Sequence, residues 1–550
     1  MGQAHLVTTD AGTGVASPSP NAAAGLVLVA LVACQFVMVL DTSSMNVSMV
    51  EVAKDLDTDI TGVQTAITMY TLVMASFMLT GGKVGKILGR KRAFIIGAGV
   101  YASGSLVTAL SQNLTMLLVG WSLLEGLGAV LILPAIVALV ASNFAQDKRP
   151  GAYGMLAAAA AVAVTAGPLI GGFFTTYLSW RWVFFGEVIA LLGILAVARH
   201  IADTPQTSGT QLDIGGTAMS VSALGMLVFG LLRSSTWGLF QAKQGAPEWF
   251  GLSASFWLML AGGIMARLFF IWENRVVERG KEPLLNPTLL RNLVVRSGIL
   301  AFFFQFLLQF GLFYLISLFL LVALGLSPIG AGAQLLAFSI TLLAAALGVP
   351  KHFPDASPRH LVRLGFVALG GGLLMLIMAL NVGSGPEVVT VPLLIAGLGA
   401  GMLASQLGSI TVSAVSDEHA SEVGGLQNTA TNLGASIATA LSGTVLISAL
   451  SASFFTGIQE NPNVPESTAV SAEVELEAGV PFLSDQDLNA ALNSAGVAPA
   501  TAASITSVNT AARVRALQSA LGVLLAIAIV AVFTTGNIPT QQPGRRPPPG

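Results

Sequence analysis

A single cysteine, Cys34, stands among 550 residues, so no intrachain disulfide can form and the redox compartment leaves no mark. Charge is almost as scarce. Only 9% of the residues are charged, against roughly a quarter in a soluble domain. The formal charge of −2 carries no basic footprint for nucleic acid. The five histidines, His5, His200, His352, His360 and His419, fall in tails and connections rather than in apolar runs. No metal-ligand spacing, phosphate-binding loop or nucleophile elbow occurs, so neither an enzyme nor an ATP-driven pump is expected, and no cofactor or metal.

What the chain has instead is apolar sequence, 54% of it, in runs long enough for membrane helices. The runs fall at approximately 24–48, 62–82, 93–111, 114–138, 151–174, 181–199, 214–233, 251–272, 298–323, 331–349, 362–380, 388–413, 424–450 and 512–534. Residues 1–23 are polar and lack Lys and Arg, unlike the charged start of a signal peptide. They read as a short disordered cytoplasmic tail.

The bases are sorted. Even-numbered connections and the C-terminal tail hold most of them, including Lys83, Lys148, Arg199, Arg275, Arg296, Lys351, Arg363 and Arg545. Odd-numbered connections hold only Lys54, Arg181, Arg233, Lys243, Arg513 and Arg515. By the positive-inside rule both termini lie in the cytoplasm and the number of spans is even. The expected organisation is an N-terminal six-helix bundle over 24–200 and a two-helix insert over 213–273. C-terminal bundle helices follow over 296–450. An acidic extracytoplasmic loop spans 451–511, the last helix 512–534, and a cytoplasmic tail 535–550. The loop carries Glu460, Glu466, Glu473, Glu475, Glu477, Asp485 and Asp487, and reads as a solvated cap with a short surface helix.

Three acids interrupt the apolar runs of the first half: Asp41, Glu125 and Glu187. A carboxylate in hydrocarbon costs roughly 2.5–3.5 kcal/mol on insertion scales, so each calls for a partner or a task. A buried carboxyl that exchanges a proton as its surroundings change is what a proton-coupled carrier needs. Each acid also has a plainer reading. Asp41 would bond its neighbours Thr42 or Ser44, Glu125 would be a helix-packing acid, and Glu187 would cap its helix or reach the outer face. The second half offers amides and aromatics: Gln305, Gln309, Phe313, Asn428 and Asn432, with Trp121 from the first half. An aromatic wall with a few amides suits a bulky amphipathic guest, and helix-to-helix amide bonds are the plainer reading.

Two segments carry recognisable patterns. Gly82-Lys-Val-Gly-Lys-Ile-Leu-Gly-Arg-Lys-Arg92 resembles the cytoplasmic loop signature G-x-L-A-D-R-x-G-R-K-R of the major facilitator superfamily, matching at Gly82, Gly89, Arg90, Lys91 and Arg92. Gly154, Ala163, Gly167, Pro168, Gly171 and Gly172 follow that superfamily's antiporter pattern G-x8-G-x3-G-P-x2-G-G, with Ala163 for one glycine. Four-residue spacing of small side chains makes a flat ridge for close helix contact, and Pro168 frees a backbone carbonyl. Leu40-Asp-Thr-Ser-Ser-Met-Asn-Val47 and Trp180-Arg-Trp-Val-Phe184 extend the resemblance to the fourteen-span drug/proton antiporters, as does Gly425-Leu-Gln-Asn-Thr429.

The resemblance implies an all-α major facilitator fold: two six-helix bundles plus two inserted central helices. It implies a monomer in the cell membrane that exports amphipathic or cationic drugs or metabolites against protons by alternating access. Export of a lipid-like product and a transport-inactive sensor are the alternatives. The chain departs from the pattern at several places, among them Glu125 in place of a Gln and Ile87 in place of an Arg. Lys86 replaces the loop's acid, Ser122 replaces an intramembrane Arg beside Glu125, and Glu187 replaces an Asn.

Overall fold

The computed structural model describes residues 20–144, 149–201, 212–243, 245–415, 417–462, 464–465 and 482–542. Lys148, Arg545, Glu466, Glu473, Glu475 and Glu477 lie outside them, as do the first tail and the stretch 202–211. Fourteen helices among the described residues are long and apolar enough to cross a membrane. Spans one to six are Gly25–Asp55, Ile60–Leu88, Arg90–Ala109, Leu114–Val140, Ala158–Tyr177 and Arg181–Ala198. Spans seven and eight are Ile214–Ser234 and Ala254–Glu278. Spans nine to fourteen are Leu293–Ala323, Pro328–His352, Pro358–Ala379, Pro386–Ser413, Glu422–Gln459 and Pro499–Asn537.

Starts and stops follow local chemistry. Asp59, Asn113, Asp213 and Ser327 each cap a helix by accepting the backbone N–H three residues on. Spans two and three meet at Gly89, whose φ of 94° an L side chain rarely adopts. Span thirteen runs on to Gln459 and span fourteen starts at Pro499, so the connection is much shorter than the 451–511 expected from hydropathy. The reason is simple. Hydropathy marks where a helix leaves hydrocarbon, whereas the Ala- and Ser-rich stretches beyond keep propagating in water. Among its described residues the remaining acidic connection holds one surface helix, Asp485–Ser494.

Two seams join the halves. Span two packs along span thirteen, where Gln64 Nε2 donates to Thr439 O at 3.0 Å and Ser436 Oγ to Thr68 O at 3.1 Å. Span five packs along span ten, where Ser339 Oγ donates to Val164 O at 3.2 Å. Spans seven and eight pair with each other and lean on the first seam. Thr217 and Thr80 hydroxyls are 3.2 Å apart, and Thr444 Oγ1 donates to Leu231 O at 3.2 Å.

At the end away from Gly89, the Trp180-Arg181 pair ties three spans. Trp180 Nε1 donates to Asp55 Oδ2 at 2.8 Å, Arg181 pairs with Asp55, and Arg181 Nη2 reaches Ser111 O at 2.5 Å. Arg513 fastens the acidic connection at the same end. It is 1% exposed, donates to Leu483 O at 2.7 Å and pairs with Asp485. Arg513→Ala deletes charge-assisted bonds worth roughly 1.5–3 kcal/mol each. Limited proteolysis is expected to cut around 482–494 faster in Arg513→Ala than in the parent, while the spans stay intact.

Candidate functional site

Asp41, Glu125 and Glu187 stand on spans one, four and six, and the fold brings them together inside the N-terminal bundle. They are 0%, 0% and 3% exposed, and one carboxyl oxygen from each lies within 4.8 Å of the others. Span three supplies most of the donors. Tyr101 Oη donates to Asp41 Oδ2 at 3.0 Å, Ser105 Oγ to Glu187 Oε2 at 3.1 Å, and Thr108 Oγ1 to Glu125 Oε1 at 3.0 Å. Trp121 Nε1 donates to Asp41 Oδ1 at 2.9 Å, and its ring stacks on Tyr70 with centroids 4.8 Å apart. Glu125 Oε2 and Glu187 Oε1 are buried with no hydrogen-bond partner.

Local helix geometry makes this possible. Residues 118–125 form a π-helical stretch within span four, a wider turn often found at functional sites. Within it, Trp121 and Glu125 are both fully buried against the cluster. Gly104 clears the way: a Cβ there would sit 2.7 Å from Glu125 Cγ. Any larger residue at 104 pushes spans three and four apart, so Gly104→Val is expected to disperse the cluster. The measurement is thermal stability of the purified protein, with a loss of about 1–3 kcal/mol as for other overpacked cores.

Three plainer readings of the acids meet a different geometry. Asp41 is held by Trp121 and Tyr101, from spans four and three, rather than by Thr42 or Ser44. Glu187 is buried, not turned to the outer face. Glu125 has one oxygen bonded and one bare, which simple packing does not require. No Lys or Arg donates to any of the three among the hydrogen bonds of the described residues. Tyr101, Ser105 and Thr108 escaped the sequence reading. Their spacing of four and three marks one helical face, a legible sign of a polar stripe.

The antiporter pattern sits beside the acids. A Cβ on Gly167 would lie 2.4 Å from Ser43 Cβ, and one on Gly171 would lie 2.7 Å from Ser44 Cα. Gly172 faces the other way, 2.7 Å by the same measure from Ile329 Cα on span ten. Opposite, Gly332 admits the carbonyl of Pro168. Ala163 is fully buried. Gly154 lies in the same helix, Arg149–Tyr177, but its surroundings fall outside the described residues. Span five is therefore wedged between span one, which carries Asp41, and the second half.

Two cavities open between the halves, and neither is lined by the three acids. The larger, about 910 Å3, lies at the Arg181 end between spans one, two and five on one side and nine, ten and thirteen on the other. Its rim carries Glu51, Lys54, Asp59, Asp485 and Asp487, and Tyr314 lies deep in it, donating to Gln64 Oε1 at 3.2 Å. The smaller, about 300 Å3, lies at the Gly89 end and includes Asn428, Lys83, Lys86 and Arg90.

Of the expected lining residues of the second half, Asn428 lines the smaller cavity and the others stand elsewhere. Gln305, Gln309, Phe313 and Asn432 line neither cavity. Gln305 Nε2 points to Ala400 O at 3.4 Å, Phe313 packs on Phe338 with centroids 4.9 Å apart, and Asn432 Nδ2 donates to Asn428 O at 2.8 Å. Trp121 serves the acid cluster. In the loop motif, Arg90 Nη1 donates to Gly82 O at 3.2 Å and Lys91 Nζ to Arg199 O at 3.1 Å, while Lys86 lines the smaller cavity and Arg92 follows on span three.

These features, fourteen spans in two helical halves around cavities and a buried cluster of acids, define a membrane carrier. A family model described as Major Facilitator Superfamily matches residues 31–439, and the chain belongs to that superfamily of transporters, not to an enzyme family. It is 28% identical over 484 residues to the probable actinorhodin transporter of Streptomyces coelicolor, covering 86% of this chain and 80% of that protein. It is 27% identical over 443 residues to the puromycin resistance protein pur8 of Streptomyces alboniger, covering 79% and 84%. Multidrug resistance protein Stp of Mycobacterium tuberculosis is 24% identical over 448 residues, covering 81% and 80%. Among solved structures, an inward-facing bacterial homologue of the human lysosomal transporter Spinster matches with a TM-score of 0.57 at 12% identity, covering 94% of this chain and 98% of that one. That likeness concerns the fold alone.

Proposed function

We propose that this chain is a proton-coupled exporter of amphipathic or cationic small molecules in the cell membrane, working by alternating access as a monomer. Its basic connections and both termini face the cytoplasm, so the larger cavity opens outward. The observation that carries the reading is the carboxyl cluster: three buried acids, no basic donor, and two bare oxygens. Full ionisation there would bury three like charges together, which electrostatics disfavours. The cluster therefore shares protons among its oxygens. Taking one up or giving one off changes which donors on spans three and four it can hold.

Coupling to movement runs through span one. Asp41 lies two and three residues from Ser43 and Ser44, which seat Gly167 and Gly171 of span five. Span five in turn bears on span ten through Gly172. A change in how Asp41 is held shifts span one against that seam, and bundles packed by small residues move as rigid units. The cargo would enter the cavity between the halves. Its volume suits a drug-sized guest, and its mostly acidic rim favours a cation. A rim with five charged residues supports an amphipathic cargo over a lipid. The relative named for puromycin resistance supports the outward direction of transport.

The test is dye efflux in inverted vesicles under an imposed pH gradient, with a cationic dye as probe. Glu125→Gln is expected to remove proton-driven accumulation while leaving gradient-free dye binding unchanged. Intact proton-driven transport in both Asp41→Asn and Glu125→Gln would rule out this coupling site.

A further inference from the structure

The loop motif lacks its acid, and the acids at that end of the molecule stand elsewhere. Lys86 takes the acid's place. Across the smaller cavity from Lys83, Lys86 and Arg90 lie Glu282 and Glu422. Glu282 belongs to the linker after span eight, and Glu422 opens span thirteen. Lys83 is only 8% exposed, yet its Nζ donates to the Glu282 carbonyl at 3.1 Å and lies 3.9 Å from Glu282 Oε2.

The linker is held from two further sides. The Asn286 N–H donates to Glu422 Oε1 at 2.8 Å, and the Leu285 N–H donates to Glu273 Oε2 at 3.3 Å. Glu273, on span eight, is fully buried next to the start of span seven, where Asp213 accepts from Trp272 Nε1 at 2.9 Å. Five residues, 282–286, are thus gripped at once by the first half, the inserted pair and the second half. Alongside, Gly425 of span thirteen faces Leu79 of span two, where a Cβ would stand in ordinary contact, 3.4 Å from Leu79 Cδ2.

We propose that this junction is a cytoplasmic latch of reversed polarity. The end of span two, with Lys83 and Lys86, and the start of span three, with Arg90, supply the cations. The linker and the start of span thirteen supply the anions. The inserted helices, through Glu273, are part of the gate rather than a passive addition. The latch holds the cytoplasmic end shut while the larger cavity stands open, and charge-assisted bonds made by a buried ammonium give it its strength. The proposal rests on the alternating-access reading given above.

The sign of the charge supplies the test. Lys86→Asp restores the residue usual in the family's loop. Were this segment the acidic side of the latch, the new acid would tighten it, whereas here it would face Glu282 and Glu422. The reporter is Val50→Cys on the half-buried wall of the larger cavity, labelled with a membrane-impermeant maleimide. Cys34 is fully buried and leaves a clean background. Purified full-length protein is used, without dye or pH gradient, and checked for a monodisperse profile.

Lys83→Met, which loses the charge-assisted bond to Glu282, and, separately, Lys86→Asp, which sets an acid in the cavity that Glu282 and Glu422 line, are each expected to lower the ratio of cytoplasm-closed to cytoplasm-open protein about tenfold, read as slower labelling of Val50→Cys. Unchanged or faster labelling in the folded Lys86→Asp protein would overturn the proposal, and so would unchanged labelling in Lys83→Met. Because labelling needs no transport, failed proton coupling with the expected labelling pattern would sink the proposed function and leave the latch standing.

Discussion

Asp41→Asn is expected to bring proton-driven dye efflux down to the level of vesicles without the protein, while the protein stays folded. Asparagine has nearly the same volume and keeps one carbonyl to accept from Trp121 or Tyr101. What it loses is the ability to gain and lose a proton. The buried site then holds an amide nitrogen facing donors, a mismatch costing roughly 1–3 kcal/mol. That is tolerable for a fold of this size, so loss of function without loss of folding is the signature to look for. Downhill exchange of preloaded dye, which needs no proton, should persist. If Asp41→Asn stopped exchange as well, Asp41 would be acting on the cargo or the fold rather than on coupling.

The second large effect concerns the seam. Gly172→Val would place branched methyls against the backbone of Ile329 and Pro328, where even a Cβ lies 2.7 Å from two backbone atoms. Backbone cannot rotate aside as a side chain can. The variant must separate spans five and ten, and overpacking of this kind costs about 1–3 kcal/mol or more. Transport should be abolished at every pH, with lowered thermal stability. Gly186→Val is the control: nothing lies within 4 Å of a Cβ there, and it should behave like the parent. Equal behaviour of the two variants would mean that close approach at span ten is not needed.

The architecture was largely legible, and the reason is chemical. A span must be apolar throughout, so composition alone marks it, and the fourteen runs from 24–48 to 512–534 each became a helix. The small residues at 163, 167 and 171 declared a tight contact, and Gly167 and Gly171 make one with Ser43 and Ser44. Asp41, Glu125 and Glu187 stood out because an acid in hydrocarbon is expensive.

What sequence could not give was convergence. The three acids come from three helices, and no spacing along the chain encodes the distance between them. The donors on span three, Tyr101, Ser105 and Thr108, showed as a polar stripe by their spacing, but a stripe does not say which acids it meets. The amides misled for the opposite reason. Gln305 is conspicuous in a run of phenylalanines, yet it turns to the Ala400 carbonyl of span twelve instead of a cavity. Helix rotation decides this, and an all-round apolar helix such as span nine carries too little amphipathic signal to fix it. The bonds of the linker at 282–286 leave no mark in the sequence, because they are made largely by its backbone.

The central claim is that the Asp41–Glu125–Glu187 cluster changes its protonation as the carrier works. Infrared difference spectroscopy across physiological pH tests it most directly, through the carbonyl stretch of protonated carboxyls. The account predicts a pH-dependent band in the parent that shrinks or shifts in Asp41→Asn, Glu125→Gln and Glu187→Gln. A carboxyl signal constant over that range, or one indifferent to all three substitutions, would contradict it.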